Sequence, residues 1–191
     1  MPPLLADFTH ARPCKPFCEK YLTLPHLVMY LYHGTSASFA VPSLSLCKPH
    51  RDFGCGFYLA LNYFDALPMA IKHSPAGFIQ TYTVKDLDGL SMLEFTGYSE
   101  AWLRFVVASR LGYTLTEYDL VVGNMAGGGA NLKSKFSKFR RANKPIAEVM
   151  SIMRHDLTST NLGLQYAFLT EKALSRLTLI DTEMVEREDA V

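Results

Sequence analysis

Three side chains of this 191-residue chain carry groups that could bind or act on a polar ligand: the imidazole of His33, the phenol of Tyr58 and the amide of Gln165. His33 ends a continuous apolar and aromatic run, Tyr58 lies in a short aromatic run, and Gln165 stands near the start of another. Taken singly, each has an ordinary structural explanation. A histidine at a strand end is usually hydrogen-bonded, a tyrosine usually packs in a core, and a buried glutamine needs only partners.

The surrounding sequence predicts how these side chains are positioned. A Gly-Thr-Ser sequence follows His33, which is typical of a buried strand that delivers its last side chain to a turn. Gly54 and Gly56 precede Tyr58, so the backbone there can turn tightly or approach another group closely before it extends. Both side chains are therefore expected at strand positions next to turns.

The rest of the chain alternates apolar runs with capping signals. The pattern predicts strands over residues 28–33, 57–59, 78–84, 90–95, 118–123, 164–169 and 177–180. It predicts helices over residues 62–72, 100–111, 145–155 and 171–177, with Asn62 and Thr170 as N-caps and Gly112 as a C-cap. Strands and helices mix without regular crossover helices, which favours an α+β fold of small packed sheets over a doubly wound sheet.

Composition sets the domain organisation and excludes several classes of protein. Hydrophobic residues make up 49% and the net charge is +1, which excludes disorder over most of the length and gives no whole-molecule attraction to nucleic acid or membrane. We expect an irregular, proline-rich leader over residues 1–27, one domain over residues 28–180 and a frayed acidic tail over residues 181–191. No run approaches the roughly 20 apolar residues of a membrane span, and the N-terminus lacks the features of a signal peptide. The predicted location is the cytoplasm, with no membrane partner.

Cysteines and two unusual segments leave alternatives open. Cys14, Cys18, Cys47 and Cys55 are predicted to be free thiols, and no metal is predicted because no second ligand pair follows Cys14-x-x-x-Cys18 at a usual spacing. The basic segment, residues 133–144, holds six lysines or arginines and no acid. Such a segment is usually a solvated helix face, and the alternative is contact with an anionic ligand, nucleic acid or an acidic protein. The glycine run at 127–129 lacks the following Gly-Lys-Ser/Thr of a phosphate loop and is interpreted as a flexible connector.

Five blocks of sequence follow one another in order over residues 28–180. They are Tyr32-His33-Gly34, Asp52-Phe53-Gly54-x-Gly56-Phe57-Tyr58, Trp102-Leu103-x-Phe105, Tyr118-Asp119-Leu120-Val121-Val122-Gly123 and Gln165-x-x-Phe168-x-Thr170-x-x-Ala173-Leu174-x-x-Leu177. Together they resemble the nicotinamide-binding core of the ADP-ribosyltransferase superfamily, in its diphtheria-toxin-like and poly-ADP-ribose-polymerase branch, and more closely a largely uncharacterised bacterial family within it. The first two motifs of that branch are His-Gly-Ser/Thr and Gly-x-Gly-hydrophobic-Tyr-hydrophobic-Ala. The resemblance implies a core of two small packed sheets flanked by helices.

The resemblance also implies that NAD is the substrate and that His33, Tyr58 and Gln165 form a triad. His33 would bind the adenosine ribose, the Gly34 backbone would hold the carboxamide, and the Tyr58 ring would stack on the nicotinamide. Gln165 would bind the hydroxyls of the nicotinamide ribose, at the position where the superfamily usually has a glutamate. The other residues expected near NAD are Thr35, Arg51, Phe53, Gly54 and Gly56, with Asp52 as a candidate for a polar contact beside them.

The glutamine shapes the predicted activity, because a neutral amide supplies neither a negative charge nor a base. The resemblance therefore implies transfer of a single ADP-ribose to a protein or nucleic acid acceptor, by a bacterial toxin or effector with a small antitoxin or immunity protein as partner. Two alternatives stay open. One is an NAD glycohydrolase, and the other is a catalytically degenerate module that binds NAD, another nucleotide or RNA.

The chain departs from the resembling family in one loop. That family commonly has an Ala-Asp-Asp segment after the fourth block, whereas this chain has Ala-Gly-Gly-Gly at residues 126–129. We therefore expect no acceptor-positioning acids here, and a more mobile loop.

Overall fold

The computed structural model describes residues 28–113, 117–128 and 131–187, which form a mixed α+β structure. The strands are β1 (Met29–Thr35), β2 (Phe57–Ala60), β3 (Ala76–Val84), β4 (Met92–Glu94), β5 (Leu120–Asn124), β6 (Leu164–Phe168) and β7 (Leu177–Glu186). The helices are α1 (Tyr63–Ala70), α2 (Glu100–Leu111), α3 (Leu132–Arg141), α4 (Ile146–Thr158) and α5 (Glu171–Leu174). The predicted leader, with Cys14 and Cys18, lies outside the described residues, as do residues 188–191 of the predicted tail.

Local capping signals fix several helix ends as the sequence predicts. The Asn62 side chain accepts a hydrogen bond from the first turn of α1, and that of Thr170 does the same for α5. Gly112 ends α2 in the left-handed conformation, at a φ of 97°. Short-range chemistry therefore sets the lengths of these helices.

The strands form a single seven-stranded sheet in the order β4-β5-β6-β2-β1-β3-β7, and this corrects the expectation of two small sheets. The β4–β5 pair is parallel, and the other neighbours are antiparallel. The two halves of the sheet meet where β1 pairs with β2, at the single position Tyr32–Ala60. One backbone contact therefore makes a continuous sheet from two units that are each paired over longer stretches.

Helices α1 to α4 cover one face of the sheet. The cores beneath them contain Val121 and Ala167 under α2, α3 and α4, and Ile79 and Val185 under α1. The opposite face carries Leu31, Phe57, Tyr82 and other apolar side chains, covered by the loop that follows β1, by the segment around residues 87–90 and by α5. Successive strand residues point to opposite faces, so the register decides which core each residue joins.

Strand β7 extends beyond residue 180, through six residues of the segment predicted to be a frayed tail. It pairs with β3 as far as Glu186, which lies opposite Ala76, and Val185 is buried against the α1 side. A hydrophobicity pattern does not predict this part of the strand, because its acidic residues are exposed and few of its side chains are buried. Backbone hydrogen bonds to β3 hold it in place. The predicted domain boundary at 180 is therefore wrong for residues 181–186.

Membrane insertion through a helix finds no support in the described part of the chain, where each helix is too short or too polar to cross a bilayer. Within the same residues, Cys47 and Cys55 are free thiols, as predicted.

Candidate functional site

His33 lies on β1, and its ring reaches the backbone of β2. Its Nδ1 atom is 2.8 Å from the carbonyl oxygen of Tyr58. Since a carbonyl oxygen only accepts, Nδ1 carries the proton and donates it. Burial lowers the pKa of His33, and the hydrogen bond to Tyr58 offsets part of this. The imidazole is therefore neutral at pH 7, with the Nε2 lone pair as an acceptor that makes no hydrogen bond within residues 28–113, 117–128 and 131–187.

Aromatic rings surround the imidazole of His33. The ring centroid of Phe57 lies 4.4 Å away and that of Phe39 lies 5.7 Å away. These rings exclude water from one side of the imidazole and favour its neutral form.

Tyr58 is held through its hydroxyl group. The hydroxyl donates to the Gly54 carbonyl at 2.9 Å and accepts from the Phe53 amide at 2.9 Å. Its ring stacks on that of Phe53 at a centroid distance of 6.4 Å. Burial and the nearby charge of Asp52 raise the pKa of Tyr58 well above its usual value. The phenol therefore stays protonated and is not a general base at neutral pH.

Gln165 lies near the start of β6 with only 7% of its surface exposed. Its Nε2 group donates to Oδ2 of Asp52 at 2.9 Å and makes a longer contact of 3.5 Å with the Asn124 carbonyl. Both N–H bonds of the amide are thus used. The Oε1 atom makes no hydrogen bond in the described part of the chain.

Asp52 connects this glutamine to a buried ion pair. Its Oδ1 accepts from Arg110 Nε at 2.7 Å and contacts the Nη2 of the same guanidinium. Its Oδ2 accepts from the Ala126 amide at 3.1 Å as well as from Gln165. We call Asp52, Arg110, Gln165 and the Ala126 amide the Asp52 network. Within it the negative charge of Asp52 is paired with Arg110 and both carboxylate oxygens accept hydrogen bonds, so Asp52 is not a free base.

Arg110 is the member of this network that the sequence analysis missed. A signal was present, because Arg110 follows Val106 by one helical turn on the buried side of α2. A cation on an otherwise apolar helix face calls for a buried carboxylate partner. The Ala126 amide belongs to the predicted connector, and together with the bond from Gly127 to the Leu157 carbonyl it anchors that part of the loop.

The structure brings Tyr58 and Gln165 to one face of the sheet and places His33 on the other. Ala60 pairs with Gln165 across β2 and β6, and Tyr58 is two residues before Ala60 on the same face. Ala60 also pairs with Tyr32, so His33, the next residue, points to the opposite face. His33 therefore reaches Tyr58 through the backbone of β2 and not side chain to side chain.

The backbone and the packing around the predicted site explain why glycine stands at positions 34, 54 and 56. A Cβ on Gly34 would lie 2.0 Å from the Ala66 carbonyl oxygen, so the glycine lets α1 lie close against β1. A Cβ on Gly56 would meet Leu169 and the Phe168 carbonyl, and Gly54 adopts a φ of 103° that favours glycine.

The remaining predicted contacts differ in exposure. Phe53 is 1% exposed and packs in the core, so it supports the Tyr58 ring from behind and offers no surface to a ligand. Arg51 is exposed, and the Thr35 hydroxyl closes a turn with Ala37.

An open groove of about 490 Å³ lies at the edge of the sheet beside Gln165. None of the predicted site residues lines it, but Asn124 and Leu164, which flank Gln165, do. Its other lining residues are Leu61, Asn62, Asp65, Glu94, Phe95, Thr96, Gly97, Asn161 and Gly163. Burial raises the pKa of Asp65 there. The lining is acidic and amide-rich, so this groove suits a polar or cationic group better than a phosphate.

The basic segment forms α3 and the turn after it. Leu132 and Phe136 bury one side of the helix, which confirms the predicted solvated face on the other. Lys135 and Lys144 pair with Asp156 and Glu148, and Arg140 donates to the Arg110 carbonyl.

Comparison with known proteins gives a family but no activity. A family model described as "Protein of unknown function (DUF3990)" matches residues 29–179. No curated protein matches the chain. Because the match covers most of the chain, the protein belongs to the DUF3990 family.

Proposed function

We propose that this protein is a mono-ADP-ribosyltransferase that cleaves NAD at the nicotinamide glycosidic bond and transfers ADP-ribose to a macromolecule. The observation that carries the proposal is a pair of hydrogen-bond acceptors, His33 Nε2 and Gln165 Oε1, which have no partner in the described residues and lie on β1 and β6, the strands that flank β2, on opposite faces of the sheet. His33 is half-buried and Gln165 is 7% exposed, so each residue keeps some contact with solvent. Such acceptors suit hydroxyl donors, and NAD carries two ribose diols.

In this proposal each residue has a distinct task. The neutral His33 accepts a hydrogen bond from a hydroxyl of the adenosine ribose, and Gln165 accepts one from the nicotinamide ribose. The Tyr58 ring contacts the nicotinamide, and a cation on a tyrosine face gains about 0.5–2 kcal/mol. The Gly34 backbone holds the carboxamide. In these assignments the ribose hydroxyls of NAD donate to uncharged acceptor atoms, and its carboxamide binds the backbone.

Bond cleavage passes through an oxocarbenium-like ribose. The bond between the ribose anomeric carbon and the nicotinamide nitrogen breaks, and its electron pair leaves with nicotinamide, which becomes neutral. The acceptor's lone pair then forms the new bond to that carbon, and the acceptor's proton passes to solvent. Neither Gln165 nor the occupied Asp52 carboxylate removes that proton, so the acceptor supplies an effective nucleophile by itself. Addition of one ADP-ribose, without elongation, follows from this lack of a base.

Transfer of label from NAD tests the reaction class. Purified protein is incubated with NAD labelled in the adenylate moiety and with a cell lysate, and labelled macromolecules are resolved by electrophoresis. We expect labelling that His33→Ala and Tyr58→Ala abolish. Matched controls are His73→Ala and Tyr30→Ala, which change exposed residues of the same types and should retain labelling. Equal labelling by all five proteins would refute the proposal.

The open alternatives give different results in the same assay. An NAD glycohydrolase releases nicotinamide at the same rate without lysate. A binding-only module releases none, and neutralising the basic segment would then abolish its activity while His33→Ala and Tyr58→Ala would not.

The biological setting follows from the same proposal. A transferase of this type acts as a bacterial toxin or effector, in the bacterial cytosol or after delivery into a target cell, and a small antitoxin or immunity protein neutralises it. Growth arrest on expression, relieved by the His33→Ala change, would support this setting.

A further inference from the structure

The Asp52 network fixes the orientation of the Gln165 amide. An ionised carboxylate only accepts hydrogen bonds, and Oδ1 of Asp52 pairs with the Arg110 guanidinium. The amide must therefore turn its NH2 group toward Oδ2, which it contacts at 2.9 Å. The Oε1 atom is left pointing away from Asp52, without a partner in the described residues.

The same geometry disfavours a carboxylate at position 165. A glutamate there would place a second negative oxygen at hydrogen-bond distance from Oδ2 of Asp52, with one arginine for two charges. Like charges in such a place cost free energy unless one of them takes up a proton. An amide and a carboxylate fit together, because one donates where the other accepts.

We propose that Asp52 is the positioning residue of this site: it holds the Gln165 amide so that Oε1 faces a ligand hydroxyl, and it selects glutamine over glutamate at this position. The inference rests on the proposed function, because the hydroxyl is taken to be that of the NAD ribose. The site therefore recognises a neutral diol through Gln165, and the nearby negative charge of Asp52 pairs with Arg110.

A charge-conserving exchange tests this assignment. Four full-length proteins are compared: the wild type, Asp52→Asn, Gln165→Glu, and the double variant with both changes. The double variant keeps one carboxylate, one amide and one guanidinium, while the Ala126 amide loses its acceptor and the Asn124 carbonyl loses its longer contact with Gln165. NAD affinity is measured by calorimetry, and the urea midpoint of unfolding is measured for each protein.

Each single variant should lose NAD affinity by about tenfold or more, as expected for a lost hydrogen bond to a charged group. The double variant should recover most of that loss and most of the drop in urea midpoint. The matched control is Gln80→Glu, a buried glutamine on β3 whose Nε2 donates to the Phe39 carbonyl. Asp52→Asn should not rescue it.

The outcomes separate this inference from the proposed function. If folded single variants bind NAD like the wild type, Asp52 does not position Gln165. If the two changes simply add, in affinity and in midpoint, charge pairing between these positions is refuted. If the wild type binds no NAD, the proposed function fails. The urea midpoints then still test the charge pairing between positions 52 and 165. A midpoint that recovers in the double variant supports the pairing, and additive losses refute it.

Discussion

On the face of the sheet that carries α1 to α4, Asp52, Arg110 and Gln165 bind one another, and every oxygen of the carboxylate is occupied. On the opposite face, His33 makes one hydrogen bond to the part of the chain that the structure describes, and aromatic rings surround it. In the first arrangement the charges of Asp52 and Arg110 pair with each other, and the carboxylate holds the Gln165 amide. The second keeps a neutral ring whose second nitrogen has no hydrogen-bond partner in residues 28–113, 117–128 and 131–187. Each face thus presents a hydrogen-bond acceptor, on a fixed amide in one case and on a neutral ring in the other.

Removal of the counter-ion should have the largest effect. Arg110→Met leaves the Asp52 carboxylate buried without a positive charge, and we expect a loss of about 3–5 kcal/mol in the free energy of unfolding. Urea denaturation followed by circular dichroism measures it. The control is Lys144→Met, which removes an exposed pair with Glu148 and should cost about 0.5 kcal/mol or less. Equal losses would show that the Asp52 network contributes no more than a surface pair.

Removal of the Tyr58 hydroxyl should have a smaller effect. Tyr58→Phe leaves the Phe53 amide and the Gly54 carbonyl without this partner. The expected cost is about 1–3 kcal/mol in the free energy of unfolding. The same change at the exposed Tyr30 should be neutral. If Tyr58→Phe is as stable as the wild type, water replaces the hydroxyl, and Tyr58 is less rigid than its contacts indicate.

Acid should weaken the fold through His33. Its pKa is lower in the folded than in the unfolded chain, so below about pH 6.5 the unfolded chain binds more protons and stability falls. Between pH 7.5 and 5.5 this contributes at most about 1.4 kcal/mol. The loss should be smaller in His33→Gln, measured as the difference between urea midpoints at the two pH values. Burial also lowers the pKa of His50, so a His50→Gln control corrects for that residue. An identical pH dependence in wild type and His33→Gln would contradict a neutral, buried imidazole.

The smallest effect is expected outside both faces. Lys133, Lys138 and Arg141 make no ion pair in the described part of the chain. Changing all three to Gln should alter the free energy of unfolding by about 0.5 kcal/mol or less. NAD-dependent labelling should also persist. Loss of labelling with stability intact would assign the basic segment to acceptor binding.

Local chemistry made much of the fold predictable. The caps at Asn62, Thr170 and Gly112 are short-range features, and the structure has helices where they predict them. The sequence pattern predicts only the first part of strand β7, because the acidic residues after it lie on an exposed strand and leave no apolar alternation. Two sheets were expected where one exists, since a single pair between β1 and β2 has no sequence signature.

The sequence by itself determined the α+β class and most of the elements, and it singled out His33, Tyr58 and Gln165 as candidate site residues. Only the tertiary structure decided their faces, because a shift of one residue in strand register reverses every side chain, and the register between β1 and β2 is a long-range property. It also joined Asp52, Arg110 and Gln165, which are far apart in sequence. Hydrogen bonds across such distances form only once the sheet and α2 are packed, so no local pattern could reveal that the aspartate accepts a hydrogen bond from the glutamine.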